Sequence, residues 1–230
     1  MKTVISPTDL YSLDFGKLRE ITKITELAGT KWVGFFEKDY LNKISNKPEK
    51  WTYAARKGND NPVTVVIRDE KTNKYLFIAQ PRIPNERIVL SFPAGMMQGK
   101  TSVDTATIEV KEETGYDVKT LSTASPLLPK SSGITTESDT MFTATVKMKQ
   151  IPIPSQEETE TIVSTWMTPH EFLYHANHLN PQKIMPESNA FYYMKGITDG
   201  YQQICDRMSG KPYISNFNRQ IINDFCSVLK

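Results

Sequence analysis

Residues 109–115 read Glu-Val-Lys-Glu-Glu-Thr-Gly. On a helix Glu109, Glu112 and Glu113 stand at i, i+3 and i+4, so the three carboxylates project from one side. Like charges so spaced repel by roughly 0.2–0.5 kcal/mol per pair, and an external cation relieves that repulsion. Hard divalent ions such as Mg²⁺ take oxygen ligands and share carboxylates with substrate phosphates. A solvated helix face has the same composition, so the flanking residues have to decide between the two.

The cluster needs a helix, and the sequence supplies one with its approach. Leu90 and Phe92 alternate as in a strand, Pro93-Ala94-Gly95 stops it, and residues 96–100 form a loop. Ser102 or Asp104 can cap a helix running to Thr114, with Gly115 at the left-handed position that follows a helix end. This strand, loop, helix and Gly order resembles the signature of the Nudix hydrolases, G-x5-E-x7-R-E-U-x-E-E-x-G-U, with U bulky and apolar. Gly95 opens it, and Glu109, Val110, Glu112, Glu113, Gly115 and Tyr116 fill the later slots. Between them the chain is one residue short, Thr101 stands at the early Glu and Ile108 at the Arg that braces a catalytic carboxylate in that family.

The resemblance implies a metal site on Glu109, Glu112 and Glu113 with Ala94, which it also places among the substrate contacts. The expected cofactor is Mg²⁺, with Mn²⁺ as a substitute. Catalytic roles fall on Glu112, Glu113 and a general base at Glu160, with Glu157 and Glu158 as alternates. The base slot follows from Gln156-Glu157-Glu158-Thr159-Glu160 preceding a strand that ends near Trp166, as a loop does in the ADP-ribose and ADP-sugar pyrophosphatase branch. A carboxylate there can take the proton of an attacking water.

Over roughly residues 28–200 the layout is similar to that branch, in which N-terminal strands exchange across a homodimer and adenine stacks between aromatics of both subunits. Trp32 and Trp51 match that pair, and stacking on such rings contributes roughly 1–3 kcal/mol per base. Packing of two half-buried tryptophans on a core is the alternative. Arg56 and Arg82 match arginines that grip phosphates or the terminal ribose, a task suited to a planar guanidinium; the prolines beside Arg82 stiffen its loop. Where the branch carries Ser-Pro-Gly this chain reads Ser131-Ser132-Gly133, with Gly133 a substrate contact and Glu137 in the later acidic slot.

The chain has 230 residues, 38% of them apolar, enough for one good-sized core. A net charge of +2 with interspersed signs argues against a nucleic-acid surface. Two cysteines, Cys205 and Cys226, an N-terminus without a secretory pattern, and no apolar run of roughly 20 residues predict a cytoplasmic protein with free thiols and no membrane span. His170, His175 and His178 lack a further ligand at zinc spacing and read as surface histidines.

The pattern predicts strands at 32–37 and 51–56 joined by a polar connection, then 63–68, 75–80, 87–92, 118–123, 140–147 and 162–167. Helices are predicted at 169–179, 188–208 and 218–229. The expected fold is an α/β/α sandwich of Nudix type with a mixed sheet, plus a small N-terminal antiparallel segment. Residues 1–58 would form that dimer-forming segment, 59–210 the Nudix domain and 211–230 a helical tail. The implied reaction is Mg²⁺-dependent hydrolysis of a nucleoside diphosphate sugar, ADP-ribose foremost, to AMP and ribose 5-phosphate. The departures at Thr101 and Ile108 keep open a second reading, a Nudix fold that binds a nucleotide or a protein and hydrolyses little.

Overall fold

The computed structural model describes residues 6–58, 61–148, 151–156 and 161–208. They fall into two compact units: residues up to 63 together with 96–102 and 125–141, and residues 64–95, 103–124 and 142 onward. The expected helix at 218–229 and the carboxylates Glu157, Glu158 and Glu160 lie outside the described residues.

In the first unit, a 3-10 turn and a single helical turn α1 (Phe15–Leu18) lead into β1 (Arg19–Gly29), β2 (Val33–Asn42) and β3 (Lys47–Arg56), an antiparallel sheet in that order. The sequence predicted two of these strands. β1 escaped because its apolar residues Ile21, Ile24 and Leu27 recur every third position instead of alternating. Register shifts at Ile21/Lys23 and Glu26/Ala28 explain that spacing, since each bulge inserts an extra residue and resets the face. The polar connection expected between the tryptophan strands is instead mostly ladder, held by cross-strand polar pairs. Tyr40 Oη donates to Glu49 at 2.6 Å, Asn42 Nδ2 to Glu49 at 2.9 Å, and Lys50 Nζ to Glu37 at 2.6 Å. Only residues 43–46 turn, with Asn46 in the left-handed region at φ 53°.

The Ser-rich loop covers the free edge of β3. Ala54 N–H donates to Ile134 O at 2.8 Å and Thr136 N–H to Ala54 O at 3.3 Å. Backbone groups that a bare edge would leave to water are thereby paired within the unit.

The second unit is built on a mixed sheet. Its strands are β4 (Pro62–Asp69), β5 (Lys74–Arg82), β6 (Arg87–Ser91), β8 (Val118–Thr123), β10 (Ser138–Val146), β11 (Val163–Met167) and β12 (Ile184–Pro186), with the short β7 (Ala94–Met96) pairing β4; β9 (Leu128–Pro129) belongs to the first unit, where it pairs residues 138–139. The order runs β12-β6-β5-β4-β10-β8, and β11 pairs β5. β12 is parallel to β6, whereas β5 is antiparallel to β4, β6 and β11.

Among the described residues three helices accompany this sheet: α2 (Ser102–Thr114), α3 (Pro169–His178) and α4 (Ser188–Met208), the last two as predicted to within a residue. Odd-numbered residues of β5 face α3 and α4. Phe77 stacks on Phe172 at 4.4 Å and on Phe92 at 5.2 Å, and Tyr75 meets Tyr193 edge-on at 6.4 Å. Burial pushes the Tyr75 phenol up to about 12. Even-numbered Leu76 and Ile78, fully buried, point to the opposite face with Val65 and Ile67.

α3 starts with a reciprocal cap in which Thr168 accepts from Glu171 N–H at 3.2 Å and Glu171 accepts from Thr168 N–H at 2.7 Å. α2 ends at Gly115, whose φ of +77° only glycine adopts freely and whose N–H returns to Lys111 O at 2.9 Å.

Candidate functional site

The buried stripe of α2 runs through Ala106 and Val110 and continues into Glu113, at i, i+4 and i+7. A carboxylate thus occupies the place where an apolar residue would close the stripe, and it is 3% exposed. Burial of such a group requires partners. Ala94 N–H, at the strand end that precedes the helix, donates to Glu113 Oε2 at 3.0 Å.

Glu109, one turn earlier and half-buried, reaches the same strand end. A Cβ on Gly95 would land on its carboxylate, so the missing side chain is what lets Glu109 lie there. Glu112 is half-buried one helical step away. Ala94, Gly95, Glu109 and Glu113 are therefore together in space, as their spacing in the sequence predicted.

Among the described residues no three His, Cys, Asp or Glu side chains are drawn into a ready-made cage. The donor set nevertheless fits a hard divalent cation. It offers carboxylate oxygens against a glycine that leaves room for them, and such ions complete their shell with water and substrate phosphate.

The C-terminal end of α2 is overlaid by residues 151–156. Ser155 N–H donates to Glu112 O at 3.0 Å, and a Cβ on Gly115 would strike the backbone of Ile153 and Pro154. Gln156 then clasps Ile162 from both sides, Nε2 to O at 2.8 Å and Oε1 from N–H at 3.1 Å. This clasp joins Gln156 to Ile162, six positions apart. Sequence reading missed it, because a glutamine beside three glutamates gives no sign of its partner. Farther along, Trp166 Nε1 donates to Tyr116 Oη at 3.4 Å, joining β11 to the residue after Gly115.

In the first unit, two pairs of candidate residues meet. Trp51 Nε1 donates to Gly133 O at 3.2 Å, and Arg56 Nε to Glu137 Oε2 at 2.8 Å. Gly133 thus orients the indole. Trp51 also lines a cavity of about 460 Å³ with Tyr53, Lys38, Tyr40 and Ser132. Lys38 Nζ stands 4.6 Å from the Tyr53 ring centroid, a cation over an aromatic face. Tyr53 could have been found from the sequence, since it is two residues from Trp51 and so on the same face of the strand.

Trp32 and Trp51 are 68% and 54% exposed, which removes the core-packing alternative for both. They are also far apart. Trp51 stands opposite Lys38, and Lys57 N–H bonds Trp32 O at 2.8 Å, so six strand positions, about 20 Å, separate the two tryptophans along β2. Two rings of one chain at that distance cannot sandwich a base.

Arg82 closes β5, exposed, directly across the ladder from Arg87. Like charges so opposed repel, and an anion relieves them. Arg87 bonds Gln182 at 3.3 Å, whereas no acceptor serves Arg82 among the described residues. Among the described residues the histidines join no cluster of metal-ligating side chains; His178 stacks on Tyr174 at 4.2 Å and bonds its carbonyl, and His175 meets the same ring edge-on. Cys205 is exposed. No described helix is long and apolar enough to cross a membrane.

Residues 59–188 match the NUDIX domain. The chain is 30% identical over 169 residues to an ADP-ribose pyrophosphatase of Saccharomyces cerevisiae, covering 68% of this chain and 72% of that protein. Among solved structures, one titled as an ADP compounds hydrolase superposes with a TM-score of 0.63 over 84% of this chain and 97% of that chain; at 14% identity the likeness is one of fold.

Proposed function

The chain belongs to the Nudix hydrolase family, and from that premise we propose that it hydrolyses the diphosphate bond of ADP-ribose, giving AMP and ribose 5-phosphate with Mg²⁺ as its metal. The observation that carries this reading is the convergence of Glu109 and Glu113 on Gly95 and Ala94. Glu109, Glu112 and Glu113, with Ala94, would hold the cation. Bound there, a divalent ion supplies charge neutralisation for the diphosphate and lowers the pKa of a coordinated water. Mn²⁺ satisfies the same oxygen donors.

The chain's own residues do the rest. Glu160 takes the proton of the attacking water, with Glu157 and Glu158 as alternates. Arg82, electrostatically strained by Arg87, offers a bidentate grip on phosphate oxygens. Arg56, held by Glu137, presents its remaining guanidinium edge to the substrate. Trp51, oriented by Gly133, stacks on the base.

The distance between the tryptophans supports a homodimer. A base held between two such rings has to take Trp32 from a second copy, which the exchange of N-terminal strands provides. The exposure of Val33 and Phe35, two positions apart and so on one face of β2, favours the same assembly, since exposed apolar surface marks an interface.

The deciding experiment is a substrate panel of ADP-ribose, ADP-glucose, UDP-glucose and NADH with Mg²⁺ and with Mn²⁺, products being separated by chromatography. ADP-ribose is expected to show the highest kcat/KM, with AMP and ribose 5-phosphate as sole products and no turnover in EDTA. Absence of turnover with every member, at protein concentrations that show ligand binding, sinks the enzymatic reading.

Trp51→Ala is expected to raise KM for ADP-ribose about tenfold, one stacking contact, with kcat little changed. Sedimentation of the unmodified protein should give a dimer. A monomer with an unchanged KM in the variant would remove both the stacking role and the second copy.

A further inference from the structure

We infer that Gln80 is a specificity-determining residue whose side-chain carbonyl accepts a hydrogen bond from a hydroxyl of the substrate's sugar. This rests on the reading that the protein hydrolyses a nucleoside diphosphate sugar.

Gln80 ends the run Tyr75-Leu76-Phe77-Ile78-Ala79-Gln80, otherwise part of the apolar core of β5. It is 7% exposed, and its Oε1 is sealed from solvent with no hydrogen-bond donor among the described residues. Its partner across the ladder is Val89, which offers it no side-chain donor. A buried amide left unmet costs its full desolvation, so a fold that only needed filling here would be better served by an apolar side chain. A group kept in that condition is explained by a partner that arrives with a ligand.

The direction of the side chain says which ligand. Phe77 turns to α3, so Leu76, Ile78, Gln80 and Arg82 share the opposite face of β5. With α3 and α4 on the first face, α2 is the described helix of this unit left to cover the second, and it carries Glu109, Glu112 and Glu113. Gln80 therefore lies between the sealed core and Arg82, on the same side of the sheet as the carboxylates.

An amide oxygen can only accept, and ionised phosphate offers it no donor. The sugar hydroxyls do. Arg82 thus reads the phosphates and Gln80 the sugar attached to them, two residues apart on one strand.

The test is Gln80→Met, which preserves volume and removes the amide. Three results are expected together. Thermal midpoint stays equal or rises, since an unmet polar group is gone. KM for ADP-ribose rises about tenfold, with kcat changing by less than about threefold. The advantage in kcat/KM of ADP-ribose over the analogue whose ribose hydroxyls are replaced by hydrogen shrinks by a similar factor.

A lowered midpoint with KM unchanged would show an internal partner for the amide and overturn the inference, as would a variant indistinguishable from the parent in KM and in selectivity. Both leave the hydrolase reading standing. A parent protein that hydrolyses no nucleoside diphosphate sugar overturns the two together.

Discussion

Glu112→Gln and Glu113→Gln are each expected to lower kcat/KM for ADP-ribose by about a hundredfold or more, because on the proposed reading each would remove a negative ligand from a cation that would carry several kcal/mol of transition-state charge stabilisation. Glutamine keeps shape and acceptor oxygen, so the fold should persist. At position 113 the carbonyl of the amide can still accept from Ala94 N–H, now 3.0 Å from Glu113 Oε2. The loss should therefore show in turnover and in calorimetric Mg²⁺ affinity while the thermal midpoint moves little. Higher Mg²⁺ should restore part of the rate if affinity is the defect. An unchanged rate in both variants would mean that the metal lies elsewhere.

Gly95→Ala is expected to cost almost as much activity through a single methyl group. The new Cβ would fall on the Glu109 carboxylate, and since that carboxylate is the end of a flexible side chain, it can swing away at small cost to folding. What it loses is its position beside the strand end. A fall in kcat/KM of about a hundredfold with a thermal midpoint within a few degrees of the parent would mark Glu109 as held in place for chemistry, since misplacement of about 1 Å alone reduces rate by that factor. A large loss of stability with activity retained in the folded fraction would make the glycine a packing requirement only. Combining Gly95→Ala with Glu109→Ala separates the cases further, because the methyl group has nothing left to displace and the two losses should not add.

Ile108, in the slot where the family signature has Arg, bears on both experiments. It is half-buried on α2 immediately before Glu109. Glu109 is instead accommodated by the bare backbone of Gly95, and Glu113 by the Ala94 amide.

Much of this was legible in the chain itself. The core strands β4 and β5 announce themselves as continuous apolar runs, and α2 is bounded by a stopping Pro-Ala-Gly and a terminal glycine. The carboxylates lie within five residues of one another, so helical periodicity alone aligns them. Local rules sufficed wherever the determinant was local.

The tertiary structure decided what depends on residues far apart in sequence. β1 was hidden because two bulges convert its alternation to a period of three. The hairpin ladder was hidden because Tyr40, Asn42 and Glu49 bond across it and need no apolar pattern. The bond from Trp51 to Gly133 spans 82 positions, and no composition or spacing encodes it. The six-position offset of Trp32 from Trp51 needed the register of β2 on β3.

The amino-acid sequence by itself determined that this protein presents three aligned carboxylates behind a glycine at a strand end, since 3.6-residue periodicity and a glycine's missing side chain are properties of the chain. Only the fold decided which carboxylate is buried, which indole is oriented and which amide is left without a partner. Those outcomes are set by packing and hydrogen-bond closure between segments, and a buried polar group shows its partner, or its lack of one, only once the surrounding chain has closed around it.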